Sequence, residues 1–189
     1  QTLAALGAGE TTSGRLEADI IANMERWRWL PANLGDRHIS VNIPAYMVRV
    51  LERGEVIHEA RVIVGKPETP TPVFSDVMDH VIVNPYWNVP YSIASEELLP
   101  SIRSDASYLS QRNYEVLAGG RVVDPSSVDW SGVNLNKVRI RQRPGGGNAL
   151  GQIKFMFPNR HAVYLHDTPS KSLFARSARA FSHGCVRVQ

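Results

Sequence analysis

The sequence has little of several features that would each assign it to a class of protein. One cysteine in 189 residues excludes an intrachain disulfide and a cysteine-rich zinc site. No run approaches the roughly 20 apolar positions that a membrane-spanning helix needs. Lys and Arg number 21 against 18 for Asp and Glu. They form no basic stripe interleaved with aromatic residues, so we expect no nucleic-acid partner.

The remaining composition is ordinary for one globular domain with a sizeable core, at 43% apolar and 21% charged residues. Residues 1–14 are small and polar, and we expect a frayed lead-in there. The next segment has apolar residues at helical spacing and predicts an amphipathic helix that Pro31 ends, with its stripe packed on a core. The stripe consists of Leu16, Ile20, Met24 and Trp27.

Apolar and polar residues alternate in several segments after residue 37, and this period of two predicts β-strands. Residues 46–51 and 56–64 flank the turn 52–55 and predict a β-hairpin. Pro85 should end a further strand, because proline cannot donate to a strand ladder. The other predicted strands are 38–43, 80–84, 138–142, 153–157 and 161–166.

Residues 92–135 have a different character and predict an insertion that lies on the sheet rather than in it. Residues 95–103 and 108–112 have the pattern of short helices. Gly119, Gly120 and the segment 124–127 are typical of turns. The predicted fold class is therefore mostly β (α+β), with short helices on the periphery.

Cys185 is the residue best suited to carry chemistry, because a thiolate is a strong nucleophile. A lone cysteine is otherwise a small buried hydrophobe, so its neighbours must decide. Two histidines are candidate bases that would lower the pKa of the thiol or take its proton. His183 lies two residues before Cys185 and shares its face in an extended segment, whereas His166 ends the predicted strand 161–166. Spacing alone leaves both open, as bases or as structural hydrogen-bonding residues.

The residues that flank Cys185 fit the same chemistry. Gly184 has no Cβ, so a substrate can approach the backbone there. The amide N–H groups of Gly184 and Cys185 would then be free to hold a developing oxyanion. Arg187 would favour a thiolate or bind a substrate carboxylate. An ordinary ion pair within the sheet is the alternative for Arg187.

Two other patterns are weaker. The loop 144–148 is rich in glycine, but no Lys-Ser or Lys-Thr pair follows and no helix pattern opens there, so a β-turn is favoured over a phosphate-binding loop. Of the six histidines, only His183 is close in sequence to the cysteine. We therefore predict no metal site and no cofactor.

Several ordered motifs resemble those of one family. Residues 182–187 (SHGCVR) are similar to the signature of the YkuD-type L,D-transpeptidases, and residues 164–169 (YLHDTP) are similar to their upstream histidine motif. The resemblance extends from about residue 38 to residue 188. The other similar segments are 62–66 (VIVGK), 71–72 (TP), 84–90 (NPYWNVP), 148–151 (NALG), 154–155 (KF) and 157–159 (FPN).

The resemblance implies a β-sandwich-like catalytic fold over residues 36–189, with the cysteine in a groove at one edge of the sheet. The insertion at about 92–135 resembles the capping subdomain of the larger Gram-negative members. Residues 1–35 would then be a lead-in and the remnant of a scaffold helix.

By motif position, the resemblance makes Cys185 the nucleophile and favours His166 over His183 as the general base. Asp167 would orient the imidazole, often through its backbone carbonyl in this family. His183 and Gly184 would shape the oxyanion hole. The residues expected to bind substrate are Arg187, Asp167, Tyr164 and Asn148.

The activity that the resemblance implies is formation of 3→3 cross-links between peptidoglycan stem peptides through a Cys185 thioester. The partners would be a tetrapeptide donor and a diaminopimelate-type acceptor, with β-lactams, especially carbapenems, as covalent inhibitors. The location would be periplasmic or facing the cell wall. The alternatives are an L,D-carboxypeptidase or endopeptidase, a lipoprotein-attaching member, and a non-catalytic wall-binding module.

Overall fold

The computed structural model describes residues 10–105 and 107–189. Helix α1 spans Glu10–Arg28 and ends shortly before Pro31, as predicted. The predicted lead-in is wrong from Glu10 onward, and residues 1–9 lie outside the described part. No helix in the described ranges is long and apolar enough to cross a bilayer.

The apolar stripe of α1 does not pack on a core, contrary to our expectation. Trp27 keeps 72% of its surface exposed, Met24 keeps 54% and Leu16 keeps 42%. The two hydrophobic cores found in the described residues are built by strands and by later helices, with no member from α1.

Twelve strands form two sheets in the described residues. They are β1 Arg37–Asn42, β2 Met47–Glu52, β3 Glu55–Gly65, β4 His80–Val83, β5 Trp87–Asn88, β6 Tyr114–Ala118, β7 Arg121–Val123, β8 Val138–Gln142, β9 Ile153–Met156, β10 Leu165–His166, β11 Ala180–Ser182 and β12 Val186–Val188. The larger sheet has the order β1-β2-β3-β12-β10-β9-β4, with β11 beside β3, and the smaller has the order β5-β8-β6-β7. The mostly β fold with short helices is confirmed.

The helices after α1 are short. A helical segment runs through α2 (Tyr91–Ile93), a π-helical stretch (Ala94–Leu98) and α3 (Leu99–Ser104), and α4 spans Tyr108–Gln111. Two 3-10 turns span Pro125–Ser127 and Lys171–Ala175. The helices predicted at 95–103 and 108–112 are therefore present.

The smaller sheet corrects our prediction for the insertion. The strands β6 and β7 lie within 92–135, where we expected only helices and turns, and β8 joins them instead of the larger sheet. The reason is a separate core, in which Val116 of β6 and Ile140 of β8 are buried against the helical segment. Gly119 and Gly120 form the β6–β7 turn with φ values of 57° and 79°, which favour glycine.

The strand predicted at 161–166 is reduced to Leu165–His166. Ala162 has a positive φ of 54° and cannot continue a strand. The Asn159 side chain stabilises this turn, because its Oδ1 accepts the backbone N–H of His161 at 3.0 Å.

Cys185 directly precedes β12, an interior strand that pairs with β3 on one side and with β10 on the other. The expectation that the cysteine lies at an edge of the sheet is therefore wrong, because β12 is not an edge strand. The sulfur lies instead at the start of a central strand.

The core of the larger sheet decides which side chains can form a site. Leu165 of β10 and Val186 of β12 are paired in register, and both belong to this core. Because side chains alternate along a strand, the residues next to them point to the opposite face. That face therefore carries His166, Arg187 and, just before the strands begin, Tyr164 and Cys185.

Candidate functional site

Cys185 is half-buried, and its sulfur lies 4.0 Å from the Ala162 carbonyl oxygen. The backbone on either side is fixed by strand pairing, since the Val186 N–H donates to the Tyr164 carbonyl at 3.1 Å. The thiol and the Tyr164 side chain are thus neighbours on the face opposite the core.

Burial raises the pKa of the Cys185 thiol. Hydrogen bonding from Tyr164 and the positive charges of Lys154 and Arg187 act in the opposite direction but do not overcome it. Of the two routes expected for activating the thiol, a lowered pKa or transfer of its proton to a base, the raised pKa favours the second. Formation of a thiolate must be coupled to a base.

His166 is 4% exposed, and among the described residues its ring has one hydrogen-bond partner. The ring Nδ1 lies 2.5 Å from the backbone carbonyl oxygen of Asp167. A carbonyl can only accept, so Nδ1 carries the proton and the neutral ring leaves a lone pair on Nε2. Burial, together with the positive charges of Arg187 and Lys154, lowers the pKa of His166 to about 4.

The Asp167 side chain makes structural contacts within the protein. One carboxylate oxygen forms an ion pair with Lys171, and the other accepts the Gln152 N–H at 2.9 Å. The carboxylate packs over Gly151, where an added Cβ would lie 2.3 Å from Oδ2. The backbone carbonyl of Asp167, rather than its carboxylate, therefore reaches the imidazole.

His183 does not share an extended segment with Cys185, because Gly184 between them has a φ of 109°. The His183 Nε2 instead lies 2.6 Å from the Glu97 Oε1 in the π-helical stretch of the insertion. Sequence reasoning missed Glu97, because nothing in the chain signals a partner so far away.

One of the two amides expected to be free is already engaged. The Gly184 N–H donates to the Ser182 hydroxyl at 3.2 Å, and that hydroxyl donates to the Cys185 carbonyl at 2.5 Å. The Gly184 carbonyl accepts the Thr71 hydroxyl at 2.8 Å. Within the described residues, the Cys185 N–H has no acceptor, so it is the amide available to an oxyanion.

Two cations flank the thiol without an ion-pair partner in residues 10–105 and 107–189, namely Arg187 and Lys154. The Arg187 Nε is buried without a hydrogen-bond partner there. Lys154 lies opposite His166 in the β9–β10 ladder, and its Nζ lies 3.7 Å from the Tyr164 ring centroid. The sequence identifies Lys154 only as part of a motif; the alternation of side chains along β9 is the signal that puts it on this face.

Asn148 does not belong to the accessible site. It is 1% exposed, and its Nδ2 donates to the carbonyls of Pro85 at 3.1 Å and Arg143 at 2.9 Å. Its Oδ1 accepts the Leu150 N–H at 2.8 Å. The predicted contact of Asn148 with substrate is therefore corrected to a structural role in the glycine-rich loop.

Comparison with known proteins places this sequence in a family. The sequence matches the YkuD family, the L,D-transpeptidase catalytic domain, over residues 36–189. A Haemophilus influenzae protein, whose own assignment as an L,D-transpeptidase is provisional, is 44% identical over 171 residues. The match covers 88% of this chain and 34% of that protein, so the chain spans about a third of its length.

Solved structures of L,D-transpeptidase 3 from Mycobacterium tuberculosis are more distant. One shares 14% identity, covers 82% of this chain and 52% of that chain, and has a TM-score of 0.44. Another, in complex with a faropenem-derived adduct, has the same identity and coverage and a TM-score of 0.43. These values are too low to support a conclusion. The family match covers most of the sequence, however, and the chain therefore belongs to the YkuD family of L,D-transpeptidase catalytic domains.

Proposed function

We propose that this chain cross-links peptidoglycan stem peptides through a thioester on Cys185, giving 3→3 links. The observation that carries the proposal is the parallel pairing of β10 with β12. This pairing puts the single thiol of the chain on the same face as a buried imidazole whose Nδ1–H donates to the Asp167 carbonyl, which leaves Nε2 as the acceptor. A nucleophile and a base on neighbouring strands are what acyl transfer by cysteine requires.

The first step is general-base catalysis from a neutral pair. The raised thiol pKa keeps Cys185 protonated at rest, and the lowered pKa of His166 keeps the imidazole neutral. The proton therefore passes from the sulfur to Nε2 as the sulfur attacks the carbonyl of the third stem residue. The Asp167 carbonyl favours the imidazolium that forms.

The carbonyl oxygen of the donor gains negative charge during this attack, and the free Cys185 N–H is placed to donate to it. When the carbonyl re-forms, the bond to D-alanine breaks, and its amine takes the proton from His166. The products of this half-reaction are free D-alanine and a thioester on Cys185.

In the second half-reaction, a side-chain amine of the acceptor stem attacks the thioester. His166 takes a proton from that amine and returns it to the sulfur, so the enzyme ends as it began. Attack by water instead would give an L,D-carboxypeptidase, so the acceptor site must favour the amine over water.

We also propose a periplasmic, wall-facing location, because the substrate is found there. Residues 36–189 would carry catalysis, and the insertion would cap the cysteine. The 2.6 Å contact between Glu97 and His183 supports that cap, because it ties the insertion to the loop before the nucleophile.

Intact-protein mass spectrometry with a carbapenem tests the nucleophile. The wild type should gain the mass of one inhibitor, Cys185→Ala should gain none, and His166→Asn should react about 100-fold more slowly. An adduct that persists in Cys185→Ala would refute the assignment. Incubation with tetrapeptide donors should then yield 3→3 dimers and D-alanine. If the products are tripeptide and D-alanine without dimers, the chain is a hydrolase.

A further inference from the structure

Lys154 is a cation in a position that needs an explanation. It is half-buried on β9, opposite His166 in the strand register. A partly desolvated ammonium is costly unless an anion or acceptors compensate for the lost water. Among residues 10–105 and 107–189, no carboxylate lies within ion-pair distance of the Lys154 Nζ.

In the part of the chain that the structure describes, the Lys154 Nζ lies over the face of the Tyr164 ring, 3.7 Å from the ring centroid. A cation over an aromatic face is attracted by the ring quadrupole and fixed in position, but its N–H donors stay free. The Tyr164 side chain also neighbours the Cys185 sulfur. The ring therefore fixes an ammonium group with unused donors beside the nucleophile.

We propose that Lys154 is a specificity-determining residue, which binds a carboxylate of the donor peptide close to the scissile carbonyl while Tyr164 holds its ammonium group in place. This inference rests on the proposed function, in which the donor carries a carboxylate on its terminal D-alanine and another on the side chain of its third residue. Arg187, whose Nε is buried without a partner, borders the same space and adds a second positive charge.

A competing role for Lys154 is to lower the pKa of the thiol, and the charge does act in that direction. The two roles differ in one measurable respect. A residue that only tunes the sulfur changes its reaction with every electrophile by the same factor. A residue that binds an anion changes the preference between an anionic and a neutral electrophile.

The first experiment alkylates Cys185 with iodoacetate and with iodoacetamide, which differ in charge but share a leaving group. Lys154→Met keeps the apolar stem and removes the charge, and Lys154→Arg keeps the charge. The ratio of the iodoacetate rate to the iodoacetamide rate should fall about tenfold in Lys154→Met and be retained in Lys154→Arg. Lys137→Met, at an exposed position directly before β8, is the matched control and should leave the ratio unchanged.

An unchanged ratio in Lys154→Met, with both rates lowered together, would assign Lys154 to thiol tuning and overturn the proposal. Circular dichroism of each variant shows whether it is folded. Should Lys154→Met fail to fold, Lys154→Gln provides the same loss of charge in a polar side chain.

The second experiment uses donor tetrapeptides amidated at one carboxylate at a time. Amidation of the recognised carboxylate should lower kcat/KM about 100-fold in the wild type and less than about threefold in Lys154→Met. The arm that shows this loss identifies which carboxylate binds. If each amidation lowers kcat/KM by the same factor in the wild type and in Lys154→Met, the proposal for Lys154 fails. If no donor reacts with the wild type, the proposed function fails, and the alkylation ratio still tests the role of Lys154.

Discussion

Glu97 and His183 are 86 positions apart in the sequence, yet the Glu97 Oε1 lies 2.6 Å from the His183 Nε2. Glu97 belongs to the insertion, and His183 lies two residues before the sulfur-bearing Cys185. Through this contact a segment with its own hydrophobic core is joined to the loop that precedes Cys185.

Replacement of Glu97 by alanine should separate stability from reactivity. Both side chains are partly exposed, so the free energy of unfolding should fall by less than about 1 kcal/mol. Acylation of Cys185 by a carbapenem should slow by about tenfold, because a displaced loop misplaces the sulfur. Stopped-flow fluorescence measures the acylation rate, and urea unfolding measures the stability.

Glu96→Ala is the matched control, because its exposed side chain lies in the same π-helical stretch and forms no ion pair among the described residues. In a double-mutant cycle, His183→Asn should cost little once Glu97 has been removed. Equal losses from Glu96→Ala and Glu97→Ala would show that the contact has no part in positioning the loop.

The pH dependence of acylation should report the buried imidazole. Only the neutral ring can accept the thiol proton, and burial lowers the pKa of His166 to about 4. The rate should therefore stay constant as the pH falls from neutral and reach half its value only near pH 4. A half-maximal rate near the ordinary histidine pKa of about 6.5 would mean that the ring is solvated before the reaction.

His166→Asn should abolish this fall of the rate at low pH (the acid limb of the pH profile) together with most of the rate itself. His183→Asn is the comparison, because its ring faces Glu97 rather than the sulfur. It should keep the limb at the wild-type pH.

Much of the larger sheet could be predicted from period-two alternation, as at β1, β2, β3 and β9. The smaller sheet could not, because β5 has two residues and β7 has three, too few to show a period. Val116 is buried because it meets residues of the helical segment and β8. Such contacts depend on tertiary packing, which spacing does not reveal.

The candidate site likewise has residues that motifs predict and residues that only the folded structure brings in. Cys185 and His166 were proposed from motifs, while their place on one face depends on the pairing of β10 with β12. Lys154 enters the site through the β9–β10 register, and Glu97 enters through folding of the insertion. No local pattern encodes either relationship, whereas the motif that contains Asn148 suggested a binding role that burial then corrected.

Gly151→Ala should weaken the support of His166 without touching the imidazole. The new Cβ would lie 2.3 Å from the Asp167 Oδ2, and Gly151 has a φ of 61°. Backbone strain and overlap together should lower the free energy of unfolding by about 2 to 4 kcal/mol. Displacement of Asp167 should also shift the acid limb of acylation, because its carbonyl holds the ring Nδ1.

Gly54→Ala separates the two causes, because Gly54 has a φ of 86° and no atom within 4 Å of the added Cβ. It should lose only about 1 kcal/mol through strain and keep the wild-type pH profile. A Gly151→Ala protein that matches Gly54→Ala in both measurements would show that the Asp167 carboxylate adjusts freely.

Asn148→Ala should affect stability and leave donor binding intact. The substitution leaves the Leu150 N–H without its acceptor and the carbonyls of Pro85 and Arg143 without their donor, all in a buried loop. The expected loss in the free energy of unfolding is about 2 to 4 kcal/mol. Asn136→Ala, at an exposed position shortly before β8, should change the free energy of unfolding by less than about 0.5 kcal/mol. In the folded fraction, the KM for a tetrapeptide donor should equal the wild-type value. A raised KM at unchanged stability would instead return Asn148 to the substrate-binding residues, since a structural amide cannot weaken binding while the loop around it stays intact.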